Sequence, residues 1–222
     1  MVRILAVADE TVESLWQPTV RRLAPDLVVA CGDLPFDYLE YLVSTLNVPT
    51  VFVPGNHDPD LSGVRGSRSG LTLRAGMPAE SPGPAGAENA DGRVVDAGGL
   101  RLVGLGGSLR YRPGPNQYTQ RELARRARRL RCRTAWRRRD GHGVDVVLTH
   151  APPAGVGDGE DRPHHGFDAL HGLVATLRPR LLLHGHIHPY GAPAPDRVIG
   201  ATTVCNVVGY RLIDTPGHAD LE

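Results

Sequence analysis

At 222 residues, with 41% hydrophobic and 22% charged positions, the chain has the composition of a globular protein with one sizeable core, which excludes disorder and fibrous architectures. No apolar run reaches the ~18 residues of a membrane helix, and the opening MVRILAVADE meets an acidic pair too early for a secretory leader, so a cytoplasmic protein with no membrane partner is expected. Net charge is only +1 and the 25 basic residues are all arginine, so the molecule as a whole is not an obvious polyanion binder, while Cys31, Cys132 and Cys205 are too few and too widely spaced for a disulfide framework or a thiolate zinc site.

In chain order, the β-branched run Val2 to Val7 predicts a strand ending at Asp9, followed by a helix from about Glu13 to Leu23. The pattern repeats: Leu27 to Ala30 leads into Gly32-Asp33, a helix is expected over Asp37 to Leu46, and Val51 to Val53 leads into Gly55-Asn56-His57. Continuous apolar strands alternating with helices imply a covered, mostly parallel sheet, and ligands of such sheets gather beyond the carboxyl ends of the strands. Residues 59–91 are rich in Gly, Pro, Ser and Ala without sustained periodicity, which predicts a long surface loop, either a cover for the site or a disordered excursion. Two strands around a Gly98-Gly99 hairpin turn should follow. Segment 104–118 is glycine-rich but lacks the spacing of a phosphate-binding loop, and its Arg110 and Arg112 are candidate phosphate contacts.

A helix is expected over residues 120–139, with Leu123, Ala127 and Leu130 on one face. Residues 121–139 hold ten arginines against one glutamate, which reads first as a solvated face, with a phosphate or nucleic-acid contact as the less favoured alternative because only Trp136 is available to help stack bases. The rest of the chain alternates again: Val144 to Leu148 into His150, a helix near Ala169 to Leu177, Leu181 to Leu183 into His184-Gly185-His186-Ile187-His188, and strands to the end. A single domain spanning 1–222 is expected.

Five polar clusters thus close apolar strands: Asp9, Gly32-Asp33, Gly55-Asn56-His57-Asp58, His150 and Gly185-His186-Ile187-His188. Carboxylate and amide oxygens mixed with imidazoles suit borderline divalent ions such as Mn, Fe, Zn, Co or Ni. In an extended GHIH segment, His186 and His188 would project to one side while Ile187 faces the core.

These clusters, in the order D-x-[H], GD, GNH[DE], H and GHxH, resemble the motifs of calcineurin-like metallophosphoesterases from Asp9 to His188. The resemblance implies an α/β fold, a four-layer α-β-β-α sandwich of two mixed β-sheets flanked by helices. It implies two divalent ions, one held by Asp9, Asp33 and His188 and the other by Asp33, Asn56, His150 and His186, with His57 facing the phosphoryl oxygens or the leaving group. The implied reaction is attack by a metal-bridging hydroxide on a small phosphomonoester or phosphodiester. Two departures stand out: Thr11 occupies the position of the first motif's histidine, so the first ion should be held more weakly, and Phe36 stands where relatives carry an acid, with Asp37 shifted by one. The first departure motivates an alternative, a metal- or nucleotide-binding regulatory protein of the same fold with weak or no hydrolysis.

Overall fold

The computed structural model describes residues 1–61, 64–66, 72–74, 77–78, 83–137, 142–189, 191–192 and 194–217. Along the chain the strands are β1 (Val2–Ala8), β2 (Leu27–Ala30), β3 (Thr50–Phe52), β4 (Val64–Gly66), β5 (Thr72–Arg74), β6 (Met77–Pro78), β7 (Glu88–Asn89) and β8 (Val94–Ala97). They continue with β9 (Leu100–Leu105), β10 (Ser108–Leu109), β11 (Gln117–Tyr118), β12 (Val146–Thr149), β13 (Leu181–His184), β14 (Arg197–Ile199), β15 (Thr202–Asn206) and β16 (Gly209–Thr215). The α-helices are α1 (Phe36–Leu46), α2 (Gln120–Arg137) and α3 (Ala169–Leu177).

Two large mixed sheets form the centre, with orders β16-β1-β2-β3-β7 and β14-β15-β13-β12-β9-β8. In each, the inner strands run parallel, while β16 pairs antiparallel with β1 and the outer strands β14 and β8 pair antiparallel with their neighbours. Side-chain alternation along the strands builds the layers. From β1, Ile4, Ala6 and Ala8 enter an interior shared with Leu102, Leu148 and Leu183 of the other sheet. Leu5 and Val7 face the opposite way, onto Tyr38, Leu39 and Leu42 of α1. On the far side, Val103, Val147 and Leu182 pack against Leu123, Ala127 and Leu130 of α2 and Leu170, Leu173 and Val174 of α3. Two mixed sheets face each other with helices outside, as the resemblance implied.

Two expectations change. The helix expected over Glu13 to Leu23 is two 3-10 turns, Glu13–Leu15 and Pro18–Leu23, because Pro18 lacks an N–H and can only begin a helical turn. Within the expected 59–91 loop, β4, β5 and β6 form a small antiparallel sheet and β7 adds to β3; strands of two or three residues are too short to leave a period in the sequence. Whether that stretch covers the site falls largely on 62–82, outside the residues whose side chains are described. The helix expected over residues 120–139 is present as far as Arg137, and 138–139 lie outside the described residues. The Gly98-Gly99 turn is as expected, with φ of 57° and 75°, both in the left-handed region a tight hairpin turn demands.

Candidate metal centre

The site is assembled where parallel strands of both sheets end. Asp9 follows β1 with φ 60°, Asp33 lies three residues past β2 with φ 56°, and His186 lies two past β13 with φ 68°. L-residues in the left-handed region are rare and strained, and here three of them are the predicted site residues. Two glycines make room for the carboxylates. A Cβ at Gly55 would lie 2.0 Å from Asp33 Oδ1, and one at Gly185 would lie 2.1 Å from Asp9 Oδ2.

Backbone donors then fix the acids. Asp33 Oδ1 accepts from the His57 N–H at 2.8 Å, and Asp9 Oδ2 accepts from the His186 N–H at 2.9 Å. Asp58, 7% exposed, joins the second and third loops: its Oδ2 accepts from the N–H groups of Gly55 at 2.7 Å and Asp33 at 3.0 Å.

Two histidine tautomers follow from what a carbonyl can do, since it only accepts. His150 Nδ1 lies 2.7 Å from the Cys31 carbonyl oxygen and must donate to it, which turns Nε2 toward Asn56 Oδ1 at 3.0 Å and Asp33 Oδ2 at 3.2 Å. His186 Nε2 lies 2.8 Å from the Pro163 carbonyl oxygen and must donate there, which leaves Nδ1 as its free lone pair. When His150 is neutral, three lone-pair atoms therefore converge in a buried space with no donor among them. A proton or a metal cation resolves that arrangement. Ligand atoms of Asp33, His150 and His186 lie within 4.8 Å of one another, so the donor set fits a divalent ion.

The acidities report the same demand for positive charge. Burial opposes the charged form of His150, yet the hydrogen bond and charge of Asp33 outweigh it and push the imidazole up to about 9. Burial would raise Asp33, but His150 and the His57 N–H bring it below the usual carboxylate range. Burial raises Asp9 and, with repulsion from His150, depresses His186 to about 4.

His188 is displaced from His186. Its side chain is 49% exposed, with Nε2 3.9 Å from Asp9 Oδ1 and Nδ1 2.8 Å from Glu10 Oε1. The GHIH segment is not extended: the Ile187 N–H donates back to the Gly185 carbonyl at 2.8 Å, so the backbone bends and the two histidines reach different neighbours. His186 goes to the Asp33–His150 side and His188 to Asp9. Thr11 is exposed, lining a surface hollow with Val12, Glu13, Trp16 and Gln17. His57 is exposed, and Asp37 Oδ1 accepts from the Tyr38 N–H at the start of α1.

The model of the calcineurin-like phosphoesterase family matches residues 6–190, most of the chain. The chain belongs to that family. Among solved structures, TT1561 of Thermus thermophilus is 17% identical with a TM-score of 0.61, covering 96% of this chain and 94% of that one. A further crystal structure is 15% identical with a TM-score of 0.60 and the same coverages. A putative 5'-nucleotidase from Staphylococcus aureus, crystallised with alpha-ketoglutarate, is 11% identical with a TM-score of 0.46, and the match covers 92% of this chain and 48% of that one. No curated protein matches the sequence. The first two similarities show the fold that the calcineurin-like family shares, at identities too low to carry substrate.

Two loops flank the rim, one within the glycine-rich segment singled out for Arg110 and Arg112, the other without a signal in sequence. From the 106–118 loop, Tyr111 places its hydroxyl 3.4 Å from Asn56 Nδ2, and Asn116 donates to the carbonyls of Asp58 and Pro59. Donation to Tyr111 directs the other end of the Asn56 amide, Oδ1, at His150. In the same loop, Arg110 is engaged by the Gln117 carbonyl and by Glu122, whereas Arg112 is exposed over the Tyr111 ring, 5.3 Å from its centroid. From the other side comes the segment holding Pro163. His164 stands there with its ring 5.3 Å from that of His186 and its Nδ1 2.8 Å from Asp161 Oδ2. The buried His184 donates to the Gly185 carbonyl, and Asn206 holds the Ile187 carbonyl at 2.6 Å, so both support the backbone of the bent segment.

Proposed function

We propose that the chain hydrolyses a small phosphomonoester or phosphodiester at this rim. Asp9, Asp33 and His188 would hold one divalent ion, and Asp33, Asn56, His150 and His186 a second, from among Mn, Fe, Zn, Co and Ni. The observation that carries the reading is the convergence of Asp33 Oδ2, Asn56 Oδ1 and His150 Nε2, three ligating atoms once Nε2 gives up its proton, beside the Nδ1 of His186. When bound, such ions acidify a water into a nucleophile and offset charge on phosphoryl oxygens. The chain's own residues do the rest. The Cys31 and Pro163 carbonyls keep both buried imidazoles in ligating tautomers, and Asp58 clamps the Asp33 and Gly55 backbones so that Asp33 can serve both ions. His57, exposed beside Asp33 and tied to it through its N–H, is assigned to the phosphoryl or leaving-group oxygen. Arg112 is the better placed of the two arginines for a phosphate contact, since Arg110 is occupied by Gln117 and Glu122. The reading takes residues 1–222 as one domain, because the two sheets share one interior. It places the protein in the cytoplasm, where its three free cysteines would stay reduced. Among the described residues no helix is long and apolar enough to cross a membrane.

The test is hydrolysis of paired mono-aryl and bis-aryl phosphates by metal-stripped protein refilled with Mn, Zn, Co or Mg, alongside metal stoichiometry and Asn56→Ala and His186→Ala controls. Metal-dependent turnover lost in both controls is expected, and the preferred ester names the class. One observation favours a second reading, a binding or regulatory protein with weak hydrolysis: with Thr11 exposed, the first ion has fewer side chains to hold it. About one ion per chain without turnover would select that reading.

A further inference from the structure

We infer that the outward face of α2 is a docking surface for single-stranded nucleic acid. The inference is independent of the hydrolytic reading and rests on a different part of the molecule. Buried Leu123, Ala127, Leu130 and Thr134 define the inner face of α2. At 3.6 residues per turn, Arg121, Arg125, Arg128, Arg129 and Trp136 fall within about 100° of arc on the opposite side, along roughly 22 Å of helix. Arg131 flanks them.

The arginines of α2 divide into two sets. Arg126 folds back onto the Asp91 carboxylate and Arg133 onto the Gly92 carbonyl. Arg121, Arg125, Arg128, Arg129 and Arg131 are exposed and make no ion pair with any described residue. The helix's lone acid within 120–137, Glu122, already accepts from the Thr119 N–H at 2.7 Å and from Arg110 at 2.9 Å. Arg121/Arg125 and Arg125/Arg129 are like-charge neighbours four apart, and Arg125/Arg128 are three apart, spacings at which like charges destabilise a helix. With ten arginines in 121–139 and a chain total of +1, the rest of the protein carries net negative charge, so this face is a local concentration of cation. A face that repels itself and lacks counter-charge among the described residues is complementary to a polyanion, and planar guanidinium groups pair with phosphate oxygens two bonds at a time.

Trp136 narrows the class of polyanion. It is 73% exposed and lines an apolar hollow with Val94, Cys132 and Arg133 at the end of the arginine stripe. A cationic track that leads to an exposed aromatic ring is the arrangement that holds a single strand, with phosphates on the arginines and an unstacked base on the ring. An anionic bilayer fits less well. A helix that lies in a membrane surface inserts its apolar face, and the apolar face of α2 is already buried against β9 and β12.

The experiment is fluorescence anisotropy of a labelled 20-nucleotide single-stranded DNA with the full-length protein, in chelator so that no ester is cut, across a salt series. Micromolar binding is expected, with a log–log salt slope of about −3 to −4 for five arginines at roughly −0.7 per phosphate. The Arg125→Gln/Arg128→Gln/Arg129→Gln variant should bind at least tenfold more weakly with a slope shallower by about 2. Trp136→Ala should weaken binding several-fold and leave the slope unchanged. Circular dichroism of each variant separates lost binding from lost fold, and Arg121→Gln/Arg131→Gln, an independent pair on the same face, repeats the test should the triple variant unfold. Absent binding, binding unchanged in the folded glutamine variants, or tighter association with phosphatidylserine vesicles or duplex DNA than with the single strand would overturn the inference.

Discussion

Charge is concentrated twice in this protein, and the two places handle it in opposite ways. At the rim, Asp9, Asp33, His150 and His186 are brought together out of water, and each is answered by a named partner: backbone N–H groups for the carboxylates, carbonyls for the imidazoles. On α2, arginines of one sign face solvent, and water and salt are their only counterweight among the described residues. Low dielectric at the rim magnifies every mismatch, so small changes there should have large effects, while screening on the helix should keep the effect of even triple substitutions on stability mild.

The largest effect should come from removing ligands. Asn56→Ala or His186→Ala is expected to lower metal-dependent turnover by more than about 100-fold, since loss of supporting groups alone commonly costs 10–100-fold. Unchanged turnover in either would break the proposed assignment. Next comes the space around Asp33. Gly55→Ala places a methyl carbon where Asp33 Oδ1 stands, and a loss of about 3 kcal/mol in denaturant unfolding is expected, at the upper end of overpacking costs.

pH gives a sharper probe. In the metal-free protein His150 keeps its proton to about 9 against an ordinary 6.5, so its contribution to stability is full below about 6.5 and is lost as pH rises through 9. His186, depressed to about 4, contributes the other way: its share is full above 6.5 and lost as pH falls toward 4. A divalent ion must displace the His150 proton, so metal binding should tighten from pH 6.5 toward 9 and release close to one proton at neutral pH. Calorimetry in buffers of different ionisation enthalpy measures that release, and none would contradict the tautomer assignment.

Thr11→His is a smaller change, expected to tighten the first ion by about tenfold, the lower end of what one coordinating or supporting group contributes. Unaltered affinity would show that residue 11 does not address the site. The smallest effect, and one of opposite sign, belongs to the helix. Arg125→Gln should raise stability by about 0.3 kcal/mol per relieved like-charge pair at low salt, and the gain should vanish in high salt.

Particular residues show how far the sequence could be read. Motif order placed Asp9, Asp33, Asn56, His150 and His186 at one rim, because each follows an apolar strand and parallel strands deliver their ends to the same side. The GHIH segment was misjudged because alternation assumes extended backbone, and the left-handed turn at His186 reflects Asp9 accepting its N–H from 177 residues away in the chain. Asp58 was visible as the last letter of the GNHD motif, but its hold on two separate loops was not. Tyr111 carried no signal, since its importance lies in meeting Asn56 across a loop with no characteristic spacing.

By itself the sequence determined most of the alternation of strands and helices and the inventory of ligating side chains, because hydrophobic period and residue chemistry are local properties, while the two mixed sheets were implied by the family resemblance of the motifs. Only the tertiary structure decided which nitrogen of His150 and His186 faces the site, that His188 turns to Glu10 and Asp9, and that five arginines of α2 stand without counter-charge among the described residues while Arg126 and Arg133 do not. Each of these depends on a partner distant in sequence. Hydrogen-bond direction and charge neutralisation are properties of pairs, and the pairs exist only once the chain has folded.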